Sequence, residues 1–577
     1  MFEFVPLNPA GDGPANLLPA ALPEVLEETP GQPPSLVGQD SATGARVSHP
    51  LGAEDMGAFL TTGTPLPHPE GMAGMELHLG PRGPAGGADV QDDLPQVSDT
   101  PADPDLPAQI GIIDAGMAFW NPSFGQRFAT AGGIDTAGTR HVIAANVMAQ
   151  MQTDGDTRAG DRRNRAIMAD QLPDSVFATR PGERQLFPAH GLAHGTAMAD
   201  LVLANAPAQA RLHALELPVP VLRDLTGGQM RGIIDAALRA VVLQAAEHLR
   251  DAAGGGPIPR FRMVVLIAFG FLGGPHGGPA GRPKFVDRLK QTQRAFAARG
   301  IDVELVMPVG NHRQARAHAR LPVDTDISWR LLPHDHTPNT LEILHEGAAP
   351  AVRITAPNGM QVTRPAGALL GKLVLDGQPV GAVASTPLSN GWSRTRISLT
   401  RTASRNATDR RAPFGRWHVG LPDGPEAQVW VLRDETGFEA DPAAPARGSW
   451  LDDGVYRDRD ATGLPALNDP ANAGLVRRAG SASVMADPFA SVGTVWTDPA
   501  TGAAQPAPYS ALHFDGTEAA VQIDLAEGAS RSSRPIGPFG QRAVLGNGSE
   551  RRFRVAGTSL AAAIEAGRRA AAVPQVA

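Results

Sequence analysis

The chain contains no cysteine, which removes disulfides, thiolate nucleophiles and cysteine-ligated zinc from its chemistry. It also lacks any uninterrupted apolar run near the ~20 residues that a membrane-spanning helix requires. Its opening, Met1-Phe2-Glu3-Phe4-Val5-Pro6, has no basic cluster followed by an apolar core, so no standard secretory signal is read there. The expectation is a cytoplasmic protein with no membrane role, unconventional export being left open. Nor is there a basic stripe: 51 Lys and Arg stand against 59 Asp and Glu, a net charge of −8. Without a surface to neutralise phosphates, no nucleic-acid partner is expected. No internal repeat at a fixed period and no EF-hand-like run of alternating Asp is found.

What is present is length and punctuation. At 577 residues the chain exceeds the ~250–300 at which a single core stops growing, so two or more domains are expected. Of its 65 Gly and 53 Pro, the prolines are dense early, as in Pro30-Gly31-Gln32-Pro33-Pro34. Residues 1–107 therefore read as an irregular extension, a propeptide or a linker, ending in the acidic, Pro-rich Asp92–Pro107.

From residue 108 strand and helix signals alternate. Ile110–Asp114 is a short apolar run ending in a carboxylate, His194–Asn205 reads as a helix and Arg211–Leu217 as a strand. Met230–Arg250 has apolar residues at helical spacing. Phe261–Phe269 and Val303–Val309 are continuous apolar strands of the buried parallel type, with a helix over Pro283–Arg299 between them. Strands separated by helices predict an α/β fold with a doubly wound, mostly parallel sheet, whose ligands bind at the strands' carboxyl ends. Residues 108–324 are read as the first part of this domain and 476–577 as its second. Between them, 325–475 has short strands divided by Gly, Pro, Asn and Asp, and reads as an inserted β-rich domain, an antiparallel sandwich.

Four residues carry candidate chemistry. Asp114 ends a buried strand, where a carboxylate is held rigidly. His194 opens a helix in His-Gly-Thr-Ala-Met-Ala, and Gly195 lets neighbouring backbone approach; His190, four residues earlier, competes for the same role. Asn311 follows the strand end Pro308-Val309-Gly310, where a side-chain amide can donate without titrating. Ser559 stands at a helix start in Gly557-Thr558-Ser559. Together they supply the orienting acid, base, oxyanion donor and nucleophile of serine hydrolysis. Each alone also has a bland reading as a turn residue or helix cap.

These motifs resemble the subtilisin-like serine peptidase (subtilase) family. IGIIDAG is similar to its Asp motif, HGTAMA to its His motif, PVGN to its oxyanion motif and GTSLAAA to its Ser motif. The resemblance covers about residues 108–320 and 478–571. It implies a subtilisin-like fold and a serine endopeptidase acting on a protein or peptide substrate, with Asp114, His194 and Ser559 catalytic and Asn311 in the oxyanion hole. It also implies that Ala268, Phe269, Gly270 and Gly310 line the substrate, the first three by strand addition. Asp200 and Ala563 depart from the family's Gly and Pro. No cofactor is required for catalysis. Structural calcium is common in the family; Asp452-Asp453 and Asp458–Asp460 have the carboxylates to ligate it but read as a solvated loop. His334-Asp335-His336 reads as a surface turn, and no metal site is assigned. The alternative is a latent pseudoprotease, or a protein that binds peptides or partners through the same cleft and the β-rich insertion. A protease without an export signal also implies a regulatory protein partner or processing of residues 1–107.

Overall fold

The computed structural model describes residues 1–6, 35–40, 46–50, 72–78, 94–98, 106–135, 138–154, 158–173, 176, 194–218, 221–222, 228–367, 370–388, 390–404, 411–432, 448–463, 465–467, 472, 474–487, 489–497, 502–524, 539–545, 549–554 and 557–572. His190 lies outside them.

The strand Gln109–Asp114 is flanked by Phe261–Ile267 on one side and Arg211–Glu216 on the other, all parallel. Phe128–Ile134 continues the sheet beyond Arg211–Glu216, and Ile301–Pro308 and then Ala490–Thr497 continue it beyond Phe261–Ile267. Arg140–Val142 closes one edge of this nine-stranded sheet antiparallel, and at the other Ala490–Thr497 pairs with Ala504–Pro506 antiparallel and with Val521–Asp524 parallel. Its central strands are buried because Ile, Val and Leu fill both faces, as expected of strands covered by helices. The helix Gly228–Ala252 packs on the strands Gln109–Asp114, Phe128–Ile134 and Arg211–Glu216, and beside the helix Lys284–Ala297.

Parallel register fixes where the strands end together. Asp114 is opposite Glu216, Ile113 is opposite Ile267, and Leu266 is opposite Val306. Asp114, Glu216, Ala268 and Gly310 therefore emerge along one edge of the sheet.

The chain as a whole is not the doubly wound, mostly parallel α/β protein that the alternation of signals predicted. Among the described residues it is β-rich, with six α-helices. Six strand pairings are parallel and sixteen antiparallel. The physical reason lies in the connections. Parallel neighbours need a long crossover, and no α-helix is described between Ala297 and Thr558. Tight turns join strands there instead. Asp376-Gly377, both at positive φ, closes the hairpin from Leu370–Leu375 to Gln378–Pro387, the conformation that matches strand twist.

An eight-stranded and a five-stranded antiparallel sheet share a separate core that includes Trp329, Ile343, Trp417 and Val429. This unit begins before residue 325 and ends after 475, since His318–Leu321 and Val476–Arg477 are strands of its larger sheet. It also recruits the chain's start. Phe2–Pro6 pairs antiparallel with Leu370–Leu375, and the Phe2 ring packs edge-on against Trp417. The acidic stretch read as a linker is partly docked too: Leu94 is buried in the core of the nine-stranded sheet, and Ser98 N–H donates to the Ile258 carbonyl. Apolar Leu94 and Val97 explain this where composition pointed to a free linker.

Candidate functional site

Asp114 is fully buried at its strand's end, and its Oδ1 accepts the Ala115 N–H at 2.6 Å. His194, the first residue of the helix His194–Asn205, brings Nδ1 to 2.9 Å from both oxygens of this carboxylate. The imidazole side chain is 29% exposed against none for the carboxylate, and its Nδ1 edge is anchored on that carboxylate. Burial pulls the imidazole pKa down, but the charge and hydrogen bond of Asp114 outweigh it, and the net position is above the ordinary histidine value.

The helix start is locked to the turn after Asp114. Gly195 N–H donates to the Ala115 carbonyl at 2.8 Å, and a Cβ on Gly195 would lie 2.7 Å from that oxygen and 2.5 Å from the Met117 side chain. Only glycine fits. Thr196, fully buried, donates its hydroxyl to the Gly116 carbonyl and accepts the Ala118 N–H.

Ser559 is the second residue of the helix Thr558–Ala571, entered through Gly557 at φ 147. Its Oγ donates to the Ala268 carbonyl at 3.2 Å, and the next ring, Phe269, lies 5.6 Å from that of His194. The His194 and Ser559 helices pack on each other. A Cβ on Gly567 would stand 2.5 Å from the Val202 carbonyl oxygen, so the backbones approach closely there.

Asn311 Oδ1 accepts both the backbone N–H of Thr558, at 2.9 Å, and its hydroxyl, at 3.0 Å. An N–H can only donate, so the oxygen must face Thr558, and the amide nitrogen is turned the other way. The Thr558 hydroxyl in turn accepts the Gly310 N–H at 3.1 Å.

The four residues expected to line substrate are placed as follows. The strand ends at Ile267, so Ala268, Phe269 and Gly270 lie beyond it. The Phe271 N–H donates to the Ser483 hydroxyl and its carbonyl accepts the Val484 N–H, and a Cβ on Gly270 would strike Ser483 Oγ at 2.6 Å. Gly310, at φ 115, uses both backbone groups internally, its carbonyl accepting the Ala511 N–H.

The acidic residues weighed for calcium have other partners. Asp452 pairs with Arg330 and Arg416, Asp458 with Arg316, and Asp453 accepts the N–H groups of Val455, Tyr456 and Val476. Asp335 is buried and bonds Thr337 and Asn339. Among the described residues no group of three or more His, Asp or Glu could hold a metal ion, and no helix is long and apolar enough to cross a membrane.

Sequence reading missed Thr196, Thr558 and Glu216. Glu216 is 3% exposed and its two oxygens accept the N–H groups of Gly116 and Met117, both at 2.7 Å. A signal existed, since QIGIID and RLHALE are two six-residue strands that each end in a carboxylate.

No protein-family model matches this chain, and no curated protein matches it. Among solved structures it is similar to the CspB protease of Clostridium perfringens, at 13% sequence identity and a TM-score of 0.44, over 80% of this chain and 81% of that one. A likeness of that size carries no argument about activity.

Proposed function

We propose that this chain is a serine endopeptidase of the subtilase kind, working through an acyl-enzyme on Asp114, His194 and Ser559. The observation that supports it most is the Asp114–His194 pair. A buried carboxylate holds Nδ1 of a part-exposed imidazole, which fixes the tautomer in which Nε2 is the basic nitrogen. In this scheme the Ser559 hydroxyl exchanges the Ala268 carbonyl for His194 Nε2 as its acceptor. Oγ attacks the substrate carbonyl while its proton passes to His194, and the imidazolium is stabilised by Asp114. Asn311 Nδ2, turned away from Thr558, and the Ser559 N–H then hold the oxyanion. His194 returns the proton to the leaving amine, and water hydrolyses the ester by the same steps.

The second reading, a binding protein using the same cleft, is favoured by the Ser559 hydroxyl being engaged with the Ala268 carbonyl. Fluorophosphonate labelling read by intact mass separates the two. The expected result is one adduct on the wild type and none on Ser559→Ala or His194→Ala. Absence of an adduct on the wild-type protein would overturn the peptidase reading.

A further inference from the structure

Glu216 is a buried carboxyl group that the triad scheme leaves unused. It is the last residue of its strand and the register partner of Asp114, itself the last residue of the neighbouring strand. The main chain ties the two ends together, because the Leu217 N–H donates to the Asp114 carbonyl at 2.8 Å. The Glu216 side chain then reaches past Asp114 to the turn that follows it. Oε2 accepts from Gly116 N–H and Oε1 from Met117 N–H. The same turn holds the His194 helix, through Ala115 O to Gly195 N–H, Gly116 O to the Thr196 hydroxyl, and that hydroxyl to Ala118 N–H. A continuous strap of hydrogen bonds thus runs from Glu216 to the residues immediately after His194.

We infer that Glu216 is a positioning residue for the general base: it clamps the turn joining Asp114 to the His194 helix, and its ionisation tunes the basicity of His194. The inference rests on the peptidase reading of this site. Both carboxyl oxygens face amide donors, an arrangement that an ionised carboxylate satisfies fully and a protonated acid only in part. The surroundings oppose ionisation. On the other side of its strand Glu216 faces Gly133, around which Leu172 and Val176 pack, and these bring no charge. Among the described residues, the charged group that acts on it is Asp114 on the adjacent strand, with His194 beyond it on the helix. Burial pushes the Glu216 pKa up to about 8, the two amide bonds pull against this, and the Asp114 charge adds to the rise. Its charge therefore changes within the range where a histidine base operates. When Glu216 ionises, a second negative charge stands behind Asp114, which favours the imidazolium that forms at the transition state.

The test follows the His194 ring nitrogens by NMR across pH 5–10 in the full chain carrying Ser559→Ala, with Glu216 intact or changed to Gln. Alongside it, the fluorophosphonate labelling rate is measured for wild type, Glu216→Gln and Glu216→Asp. With Glu216 present, His194 should show a second inflection near pH 8, absent with Gln. Labelling should rise again through the same pH in the wild type and show one inflection with Gln. Asp is too short to span both amides, so its labelling should fall by up to about a hundredfold, the effect of misplacing a reacting group, while the second inflection persists. Retention of the inflection in Glu216→Gln, or wild-type labelling by both variants, overturns the inference. If the wild type never labels yet the Glu216-dependent inflection is seen, the peptidase reading fails while the coupling of Glu216 to His194 stands.

Discussion

Replacing Thr558 with Val tests the logic of the oxyanion side of the site. The Thr558 hydroxyl accepts the Gly310 N–H and donates to Asn311 Oδ1, and the side chain is fully buried. Valine keeps the shape and removes both bonds. The Gly310 N–H is left buried without its acceptor, which costs about 1–3 kcal/mol, and the neutral bond to Asn311 contributes roughly another 1 kcal/mol. Urea unfolding should therefore show a loss of about 2–4 kcal/mol. Asn311 retains the Thr558 backbone N–H, so its amide is loosened and not lost. Losing an oxyanion donor outright lowers kcat on the order of 10²–10³-fold, and the Val variant should fall short of that, at about tenfold. The loss should appear in kcat with KM little changed, because the oxyanion exists only at the transition state. Thr558→Ser should recover most of both effects. Unaltered stability and kcat in the Val variant would refute the chain from Gly310 through Thr558 to Asn311, and a loss confined to KM would refute its assignment to the oxyanion.

Two further outcomes are expected. Gly567→Ala gains up to about 1 kcal/mol of helix propensity. It also places a Cβ 2.5 Å from the Val202 carbonyl, an overpacking of ~1–3 kcal/mol. Net destabilisation in urea and slower labelling of Ser559 should result; a variant as stable as wild type would show that the helices tolerate separation. Acid should weaken the fold through His213 and His318, whose pKa values burial lowers to about 3 and about 4. A histidine depressed on folding is protonated first in the unfolded chain, so its contribution is intact above ~6.5 and is lost as pH falls toward the folded value. Each accounts for on the order of 3–5 kcal/mol at most. His213→Gln or His318→Gln should flatten the fall in stability between pH 6.5 and 4, and a slope identical to wild type would count against it.

Much of the local structure was legible in the residues. The helix His194–Asn205 has the bounds that pattern alone suggested. The strand opening at Phe261 ends two residues early. Asp114 and His194 were recognisable because their motifs state a local geometry: a carboxylate at a strand end, and a histidine before a glycine at a helix start. The substrate role of Ala268–Gly270 comes from the motif resemblance alone, which does not register that the next residue, Phe271, bonds to Ser483 and Val484.

By itself the sequence determined which segments become strands and helices, and which side chains could act as acid, base, donor and nucleophile. Periodicity, caps and turn residues act over a few neighbours, so they are written locally. Tertiary structure alone decided the balance of the fold, because the share of antiparallel pairing depends on which strands meet. It also joined Phe2–Pro6 to an edge strand some 370 residues away and brought Glu216 level with Asp114 through parallel register. Those outcomes rest on hydrogen bonds and burial between segments distant in the chain, whose partners no local pattern names.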